Sequence, residues 1–336
     1  MVHKCGYLPL AISAVGRILS KKASLDEWTV VNKDIDSYLG REGFDGNRGI
    51  MKILTLSYDV LPYHLKQCFL SLGYFPEDLK IGTSVLYFTW LAEGITLPNK
   101  HSGREETVMV VTEQYLTKLA SRSMVNVELF ELAAPGLLKY KHCRLHDLMR
   151  ELCLMKCSEE DYIKVGDFRG GRQPVLERFP VIMDDITTTN IYRLAIHTDG
   201  NFKGDAIGKI TERLSPRLRS ITFTDTSQGE NCSVDMARTS SEIFNRFKYL
   251  RILSFDWYTF VNKKSIEFIG KLIHVRSIRF NSCKMDELPL QLFISDAAMT
   301  VVKSDVSGNI SSNGFRSGAL SKSSTASRLV NFTSLQ

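Results

Sequence analysis

The sequence predicts a mixed fold, helical in its first half and α/β in its second, and three observations predict it. Apolar residues recur at i, i+3, i+4 and i+7 through roughly the first 120 residues. Two strand-like runs around a Pro-Gly turn follow, and another amphipathic helix leaves them. Beyond about residue 160 the period changes, and the pattern L-x-x-L-x-L recurs.

The helices can be justified in order. Leu8, Ile12, Val15 and Leu19 line one face of a helix over residues 8–20. Ser24-Leu25-Asp26-Glu27 forms a capping box that opens a second helix, with Trp28, Val31, Ile35 and Leu39 inward and Gly40 as its stop. Ile50, Ile53, Leu54 and Leu56 mark a helix over residues 50–60. Pro62 suits the first turn of the next, which buries Leu65, Cys68, Phe69 and Leu72 before Phe75-Pro76-Glu77-Asp78 breaks it. Residues 83–93 are helical up to Gly94, and residues 105–121 follow with Val108, Val111, Tyr115 and Leu119 inward. Residues 124–132 and 138–145 read as strands joined by Ala134-Pro135-Gly136. Helices followed by a β-hairpin describe a winged-helix domain. Trp28, Trp90 and Trp257 are read as core or repeat residues.

In the second half, Arg169 to Pro174 reads as a loop. Four segments then fit the repeat: Ile191/Leu194/Ile196, Leu218/Ile221/Phe223, Leu250/Leu253/Phe255 and Val275/Ile278/Phe280. Cys283 falls where leucine-rich repeats place Asn or Cys. After about Ile294 the pattern collapses into Ser, Gly, Asn and Thr, a composition too polar to offset the entropy of ordering.

Bulk properties narrow the function classes. With 43% hydrophobic and 24% charged residues, the 336-residue chain has an ordinary globular composition and room for two or three domains. A net charge of +6 does not by itself require nucleic acid or an acidic membrane as a partner. No apolar run approaches a membrane span, and the first residues lack a signal-peptide pattern. Seven irregularly spaced cysteines, several at apolar helical positions, point to reduced thiols in a cytosolic or nuclear setting.

The most informative stretch runs from Lys141 to Leu152. A strand ends in Leu145-His146-Asp147, and a helix with Leu145, Leu148, Met149 and Leu152 on one face begins there. Asp147 stands where a helix start wants a side-chain acceptor. His146 is thereby held at a helix mouth that favours an anion, which suits it to sensing a phosphate. The plainer alternative is a histidine that only caps the helix. Zinc is disfavoured, because Cys143, His146, Cys153 and Cys157 have the spacing C-x2-H-x6-C-x3-C. DNA binding is disfavoured by Glu105, Glu106 and Glu113 on the helix before the hairpin, against Lys118 and Arg122. A Ser-His-Asp triad is disfavoured because no G-x-S-x-G elbow is present.

Four motifs in order carry a resemblance. They are Cys5-Gly6-Tyr7-Leu8-Pro9-Leu10-Ala11; Cys68 to Asp78, followed by Trp90-Leu91-Ala92-Glu93-Gly94; Leu145-His146-Asp147; and the repeat array. Together they resemble the plant nucleotide-binding leucine-rich-repeat immune receptors of the coiled-coil class. The chain looks like an N-terminally truncated fragment of one that lacks the P-loop, since no G-x-x-x-x-G-K-[ST] occurs.

The resemblance implies five regions. Residues 1–48 would be the C-terminal part of the first helical subdomain of the nucleotide-binding module, and 49–160 the winged-helix subdomain. Residues 161–185 would be a linker, 186–293 an incomplete repeat array, and 294–336 a disordered or aberrant Ser-rich tail.

By the same resemblance Pro9 packs on adenine and His146 contacts the β-phosphate of ADP. Leu8, Leu10, Cys68, Phe69, Phe75, Pro76, Glu77, Asp78, Leu145 and Asp147 belong to the switch and structural motifs. Tyr7 replaces a glycine of the first motif and is unwelcome if that position needs a positive φ. The implied role is an ADP-dependent regulatory switch with the first recognition repeats, acting in plant defence and the hypersensitive response. It is neither an enzyme nor a metal site. ADP or ATP would be held by the complete receptor and none is expected on this chain alone. The implied partners are the nucleotide-binding domain of a complete receptor and, through the repeats, a pathogen effector or a guarded host protein. Nucleic acid and a transmembrane segment are not expected. The expected location is the cytoplasm, or peripherally the plasma membrane. The alternative is a non-functional remnant or a decoy that binds receptor partners without nucleotide.

Overall fold

A computed structural model describes residues 2–39, 46–96, 108–130, 139–169, 192–199, 217–227, 233–234, 247–260, 275–281, 283, 300–304 and 330–333. They fall into two compact units, 1–162 and 163–336.

Unit 1 begins with three helices, α1 (Pro9–Leu19), α2 (Leu25–Leu39) and α3 (Gly46–Asp59). The capping box opens α2, with the Glu27 N–H donating to Ser24 Oγ at 3.2 Å and the Ser24 N–H to Glu27 Oε2 at 3.2 Å. One apolar core joins the three helices through Ala11, Val15, Leu19, Val31, Ile35, Leu39, Ile53 and Leu56. Burying a side chain of this size stabilises by about 1.5–3 kcal/mol. Trp28 departs from the expected inward face. It is 43% exposed, and its Nε1–H reaches the Lys22 carbonyl at 3.4 Å. The α2 stripe is already filled by Val31, Ile35 and Leu39, so the indole lies at its edge. Gly40 lies outside the described residues.

The winged helix follows in the order α4 (Tyr63–Ser71), β1 (Ile81–Gly82), α5 (Thr83–Glu93), α6 (Val108–Ala120), β2 (Asn126–Leu129), β3 (Tyr140–Arg144) and α7 (Asp147–Glu159). Its antiparallel sheet has the order β1-β3-β2, with Ile81 opposite Cys143 and Val127 also opposite Cys143. The two-residue strand β1 leaves no periodic signal and was not expected. Leu116 rather than Tyr115 enters the α6 core, together with Val111, Thr112 and Leu119. Trp90 is completely buried, and its Nε1–H donates to Ser71 Oγ at 2.7 Å. Cys153 and Cys157 on α7 turn their thiols onto α4, donating to the Phe69 carbonyl at 3.3 Å and the Leu70 carbonyl at 3.4 Å. Gly73 permits that approach, because a Cβ there would stand 3.3 Å from Cys157 Sγ and 3.5 Å from Cys153 Sγ.

Unit 2 holds a seven-stranded parallel sheet whose strands lie in sequence order, apart from a small separate pair. These are β4 (Lys164–Asp167), β5 (Arg193–Thr198), β6 (Ser220–Asp225), β8 (Ile252–Asp256), β10 (Ser277–Asn281), β11 (Thr300–Ser304) and β12 (Val330–Thr333). The separate pair is β7 (Ser233–Val234) with β9 (Thr259–Phe260). The four repeat segments reach β5, β6, β8 and β10, with Ile191 outside the described residues. Ile196, Phe223, Phe255 and Phe280 align across them. The three rings stack at 5.2 and 5.9 Å. Cys283 is buried and donates to the Phe255 carbonyl at 3.2 Å. The other sheet face is buried too and polar, with Arg279 paired to Asp256 at 2.9 Å.

Three strands of the sheet fall within segments expected as linker and as disordered tail: Lys164–Asp167 in the first, and Thr300–Ser304 and Val330–Thr333 in the second. They pair through backbone groups with neighbouring strands, an interaction that composition does not report. The rest of the tail lies outside the described residues.

Trp90→Ala should destabilise unit 1 by about 3–5 kcal/mol through the cavity it leaves. Trp90→Phe should cost about 1–3 kcal/mol, because the donor to Ser71 is lost while most of the volume stays. Urea unfolding of both variants measures this. Equal losses would show that the ring volume contributes little.

Candidate functional site

The site implied by the motifs is built at the starts of two helices. The chain leaves β3 with Leu145 buried and turns into α7 at His146, whose φ of −72° and ψ of 147° are extended. His146, not Asp147, is the cap. Its Nδ1 accepts the Leu148 N–H at 3.4 Å, and its carbonyl accepts the Arg150 N–H at 2.8 Å. Asp147 is the first helical residue, where a carboxylate complements the helix dipole. The cap shifts by one residue because Leu145 must point into the core, which turns the next side chain back over the helix start. An imidazole that accepts at Nδ1 carries its proton on Nε2. His146 is exposed, so that N–H is available as a donor.

Pro9 is the first residue of α1 and is exposed, while Leu8 and Leu10 are half-buried. Leu8 is the helix cap but, being apolar, gives no side-chain hydrogen bond to it. A 3-10 turn, His3–Cys5, precedes, and both Gly6 (φ 57°) and Tyr7 (φ 58°) are left-handed. The position taken by Tyr7 therefore does require a positive φ. An L-residue in that conformation costs about 1–2 kcal/mol. The ring is 68% exposed and meets His3 edge-on at 6.0 Å.

Pro9 and His146 stand on different helices, and no hydrogen bond or ring contact joins them. Helix α3 packs against both α1 and α7. The second motif is structural. Residues 68–76 are all buried, and only Glu77 and Asp78 (φ 60°) are exposed. Within it the Phe75 carbonyl accepts from Arg150 at 3.4 Å, and Tyr74 donates to Glu93 at 3.1 Å. Cys68, Phe69, Phe75 and Pro76 thus lie inside the winged helix and help hold it together.

Sequence reasoning missed a cluster on the outer face of the small sheet. Lys80 pairs with Glu128 at 3.0 Å, and His142 Nδ1 lies 3.6 Å from the same carboxylate oxygen. Burial pushes the His142 pKa below its ordinary value more than Glu128 raises it, and the nearby Lys141 and Lys80 lower it further. Glu128 comes from β2, His142 from β3 and Lys80 from the residue just before β1, so no local pattern announces them. Among the described residues, no group of three or more His, Cys, Asp or Glu is placed to hold a metal, and no helix is long and apolar enough to cross a membrane.

Residues 74–153 match a family described as the disease resistance protein winged helix domain. Disease resistance protein RPH8A of Arabidopsis thaliana is 33% identical over 300 residues, covering 86% of this chain and 29% of that protein. Disease resistance protein RPP8 of Arabidopsis thaliana is 32% identical over 302 residues, covering 86% and 29%. The chain thus spans less than a third of the length of these relatives.

A histidine pKa lowered by folding favours the neutral form in the folded state. The stability it contributes is complete above the unfolded value of 6.5 and is lost as pH falls below that towards the folded value. His64 is lowered in the same way by burial and by Lys118 and Arg122. Unit 1 should therefore melt at a lower temperature at about pH 5.5 than at about pH 7.5. His142→Asn should flatten that dependence. A Tm that does not change over this interval in the unaltered chain would contradict the assignment.

Proposed function

We propose that the chain is part of a plant disease resistance protein, as the winged-helix match over residues 74–153 and the similarity to RPH8A and RPP8 support, and that it carries the nucleotide-reading switch and the first recognition repeats of an immune receptor in the defence response. The observation that carries this reading is His146. Its Nδ1 is turned back onto α7, so its Nε2–H points away from the helix start as a donor. That donor suits a β-phosphate oxygen of ADP, with which a hydrogen bond contributes about 1.5–3 kcal/mol. The exposed ring of Pro9 offers an apolar face to adenine.

The phosphate cradle and magnesium ligands would come from the nucleotide-binding domain of a complete receptor, which is the first partner proposed. The parallel sheet, with one strand per repeat segment and Cys283 bonding back to the preceding strand, supports the leucine-rich-repeat reading. A pathogen effector or a guarded host protein would be recognised along such repeats. The role is regulatory rather than enzymatic, exercised in the cytoplasm or at the inner surface of the plasma membrane.

A bond made only in the closed state shifts a two-state equilibrium by its own free energy. Losing about 1.5–3 kcal/mol favours the open state by about one to two powers of ten. His146→Ala in a complete receptor carrying this segment should therefore signal without a pathogen and release ADP faster. Asp147→Val should act more weakly, since the cap belongs to His146. Cell death scored at matched protein levels, with ADP retention measured alongside, is the test. A silent receptor that keeps ADP as tightly as wild type would reduce His146 to a helix cap. The purified chain alone should show no ATP turnover, because its sequence has no P-loop lysine in G-x-x-x-x-G-K-[ST] context.

A further inference from the structure

A second feature of unit 1 lies away from Pro9 and His146, where the ends of α1 and α6 meet. Arg17 on α1 donates from Nε to Ser123 Oγ at 2.6 Å and from Nη1 to the Ser121 carbonyl at 3.0 Å. Ser13 and Ser123 place their hydroxyl oxygens 2.9 Å apart. Among the described residues, Arg122 donates to the Lys118 carbonyl at 3.0 Å. Burial holds Lys21, just past the end of α1, below its ordinary pKa, and the charge of nearby Arg122 lowers it further. Lys118 and Arg122 act on His64 in the same sense.

Four cations thus converge from two helices, yet among the described residues none forms an ion pair with a carboxylate. The ion pairs among the described residues of unit 1 are Lys4–Asp36, Lys22–Glu27, Lys80–Glu128, His142–Glu128 and Lys156–Glu159, which leave out all four. Cations near helix ends complement the helix dipole, which accounts for each one singly. It does not account for Ser123. This residue sits at the left-handed position (φ 56°) after α6, where the Ser123 N–H bonds the Ala120 carbonyl at 2.9 Å and the Met124 N–H the Leu119 carbonyl at 3.1 Å. Glycine is favoured at such a position. A serine there gives up backbone ease for a hydroxyl, and that hydroxyl is placed between Arg17 and Ser13.

We propose that Arg17, Lys21, Lys118 and Arg122, with the hydroxyls of Ser13 and Ser123, form a binding site for a polyphosphorylated anion that ties the first helical bundle to the winged helix. Guanidinium forks match phosphate oxygens geometrically, and lysines add charge without demanding direction. Phosphate monoesters on a compact ring satisfy the site best, because several dianionic groups can meet several cations at once. Such groups occur on free inositol phosphates and on phosphoinositide headgroups. The inference does not depend on nucleotide binding at Pro9 and His146.

The test uses the purified 336-residue chain. One arm titrates inositol hexakisphosphate calorimetrically at physiological ionic strength. The other sediments the chain with phosphatidylcholine vesicles with and without phosphatidylinositol 4-phosphate. Arg17→Gln with Arg122→Gln should weaken binding at least about tenfold, the effect of losing a single interaction of about 1.4 kcal/mol. Lys33→Gln with Lys141→Gln removes the same charge elsewhere and should leave binding nearly unchanged. Lys21→Gln, at an exposed side chain, should weaken it without disturbing the fold should the double variant prove unstable. Binding in the first arm alone identifies a free phosphate, and binding in the second identifies a headgroup; either supports the site if it depends on these residues. Absence of binding in both arms, or equal weakening by the control pair, would overturn the proposal.

Discussion

The position of His146 depends on how closely α7 lies against the end of α4. That distance is set by a small residue and two sulfurs. Gly73 has no Cβ, so Cys153 and Cys157 reach across to the carbonyls of Phe69 and Leu70. A thiol is a weak donor but a good small apolar filler, and both roles are used in this contact. With α7 so placed, Leu145 enters the core and the chain must turn at the next residue. The histidine is then presented to solvent with one ring nitrogen committed to the helix. The buried second motif and the exposed third motif are therefore parts of one construction.

Helix α3 links that construction to the first core. Ile53 and Leu56 pack with α1 and α2, while Tyr58 donates to Glu160 at the end of α7 at 2.6 Å. Lys66 and Lys156 lie 4.9 and 5.7 Å from the centre of the Tyr58 ring. The helical bundle and the winged helix consequently share a helix and form one compact unit. Any change that separates Pro9 from His146 must strain α3 or its contacts. The polar junction of Arg17 with Ser121 and Ser123 is another tie between the same two parts, and it is exposed to solvent.

Unit 2 is organised by a different rule. Its parallel strands follow one another in order, so each strand buries its apolar face only when neighbours are stacked on it. The aromatic stack of Phe223, Phe255 and Phe280 is that dependence made visible. The opposite face is polar, and burying the Asp256–Arg279 pair costs desolvation that its hydrogen bonds must offset.

Sequence by itself determined which segments are helical, where α2 is capped, which residues form the second motif's core, and which apolar residues repeat on the parallel sheet. These follow from period, cap chemistry and short-range spacing, which are local properties. It placed His146 at a helix start but assigned the cap to Asp147, because the orientation of Leu145 comes from the core it enters. It marked Tyr7 as unwelcome only if that position needs a positive φ, and the backbone there does take φ 58° with the tyrosine in place. Tertiary structure alone decided that Trp28 stays at the surface, that the short strands at residues 81–82, 164–167, 300–304 and 330–333 exist, and that Lys80, Glu128 and His142 meet. It also decided that Arg17 reaches Ser123 across 106 positions. The reason is the same in each case. Those features are made by backbone pairing and charge contacts between residues distant in sequence, and no local period encodes them.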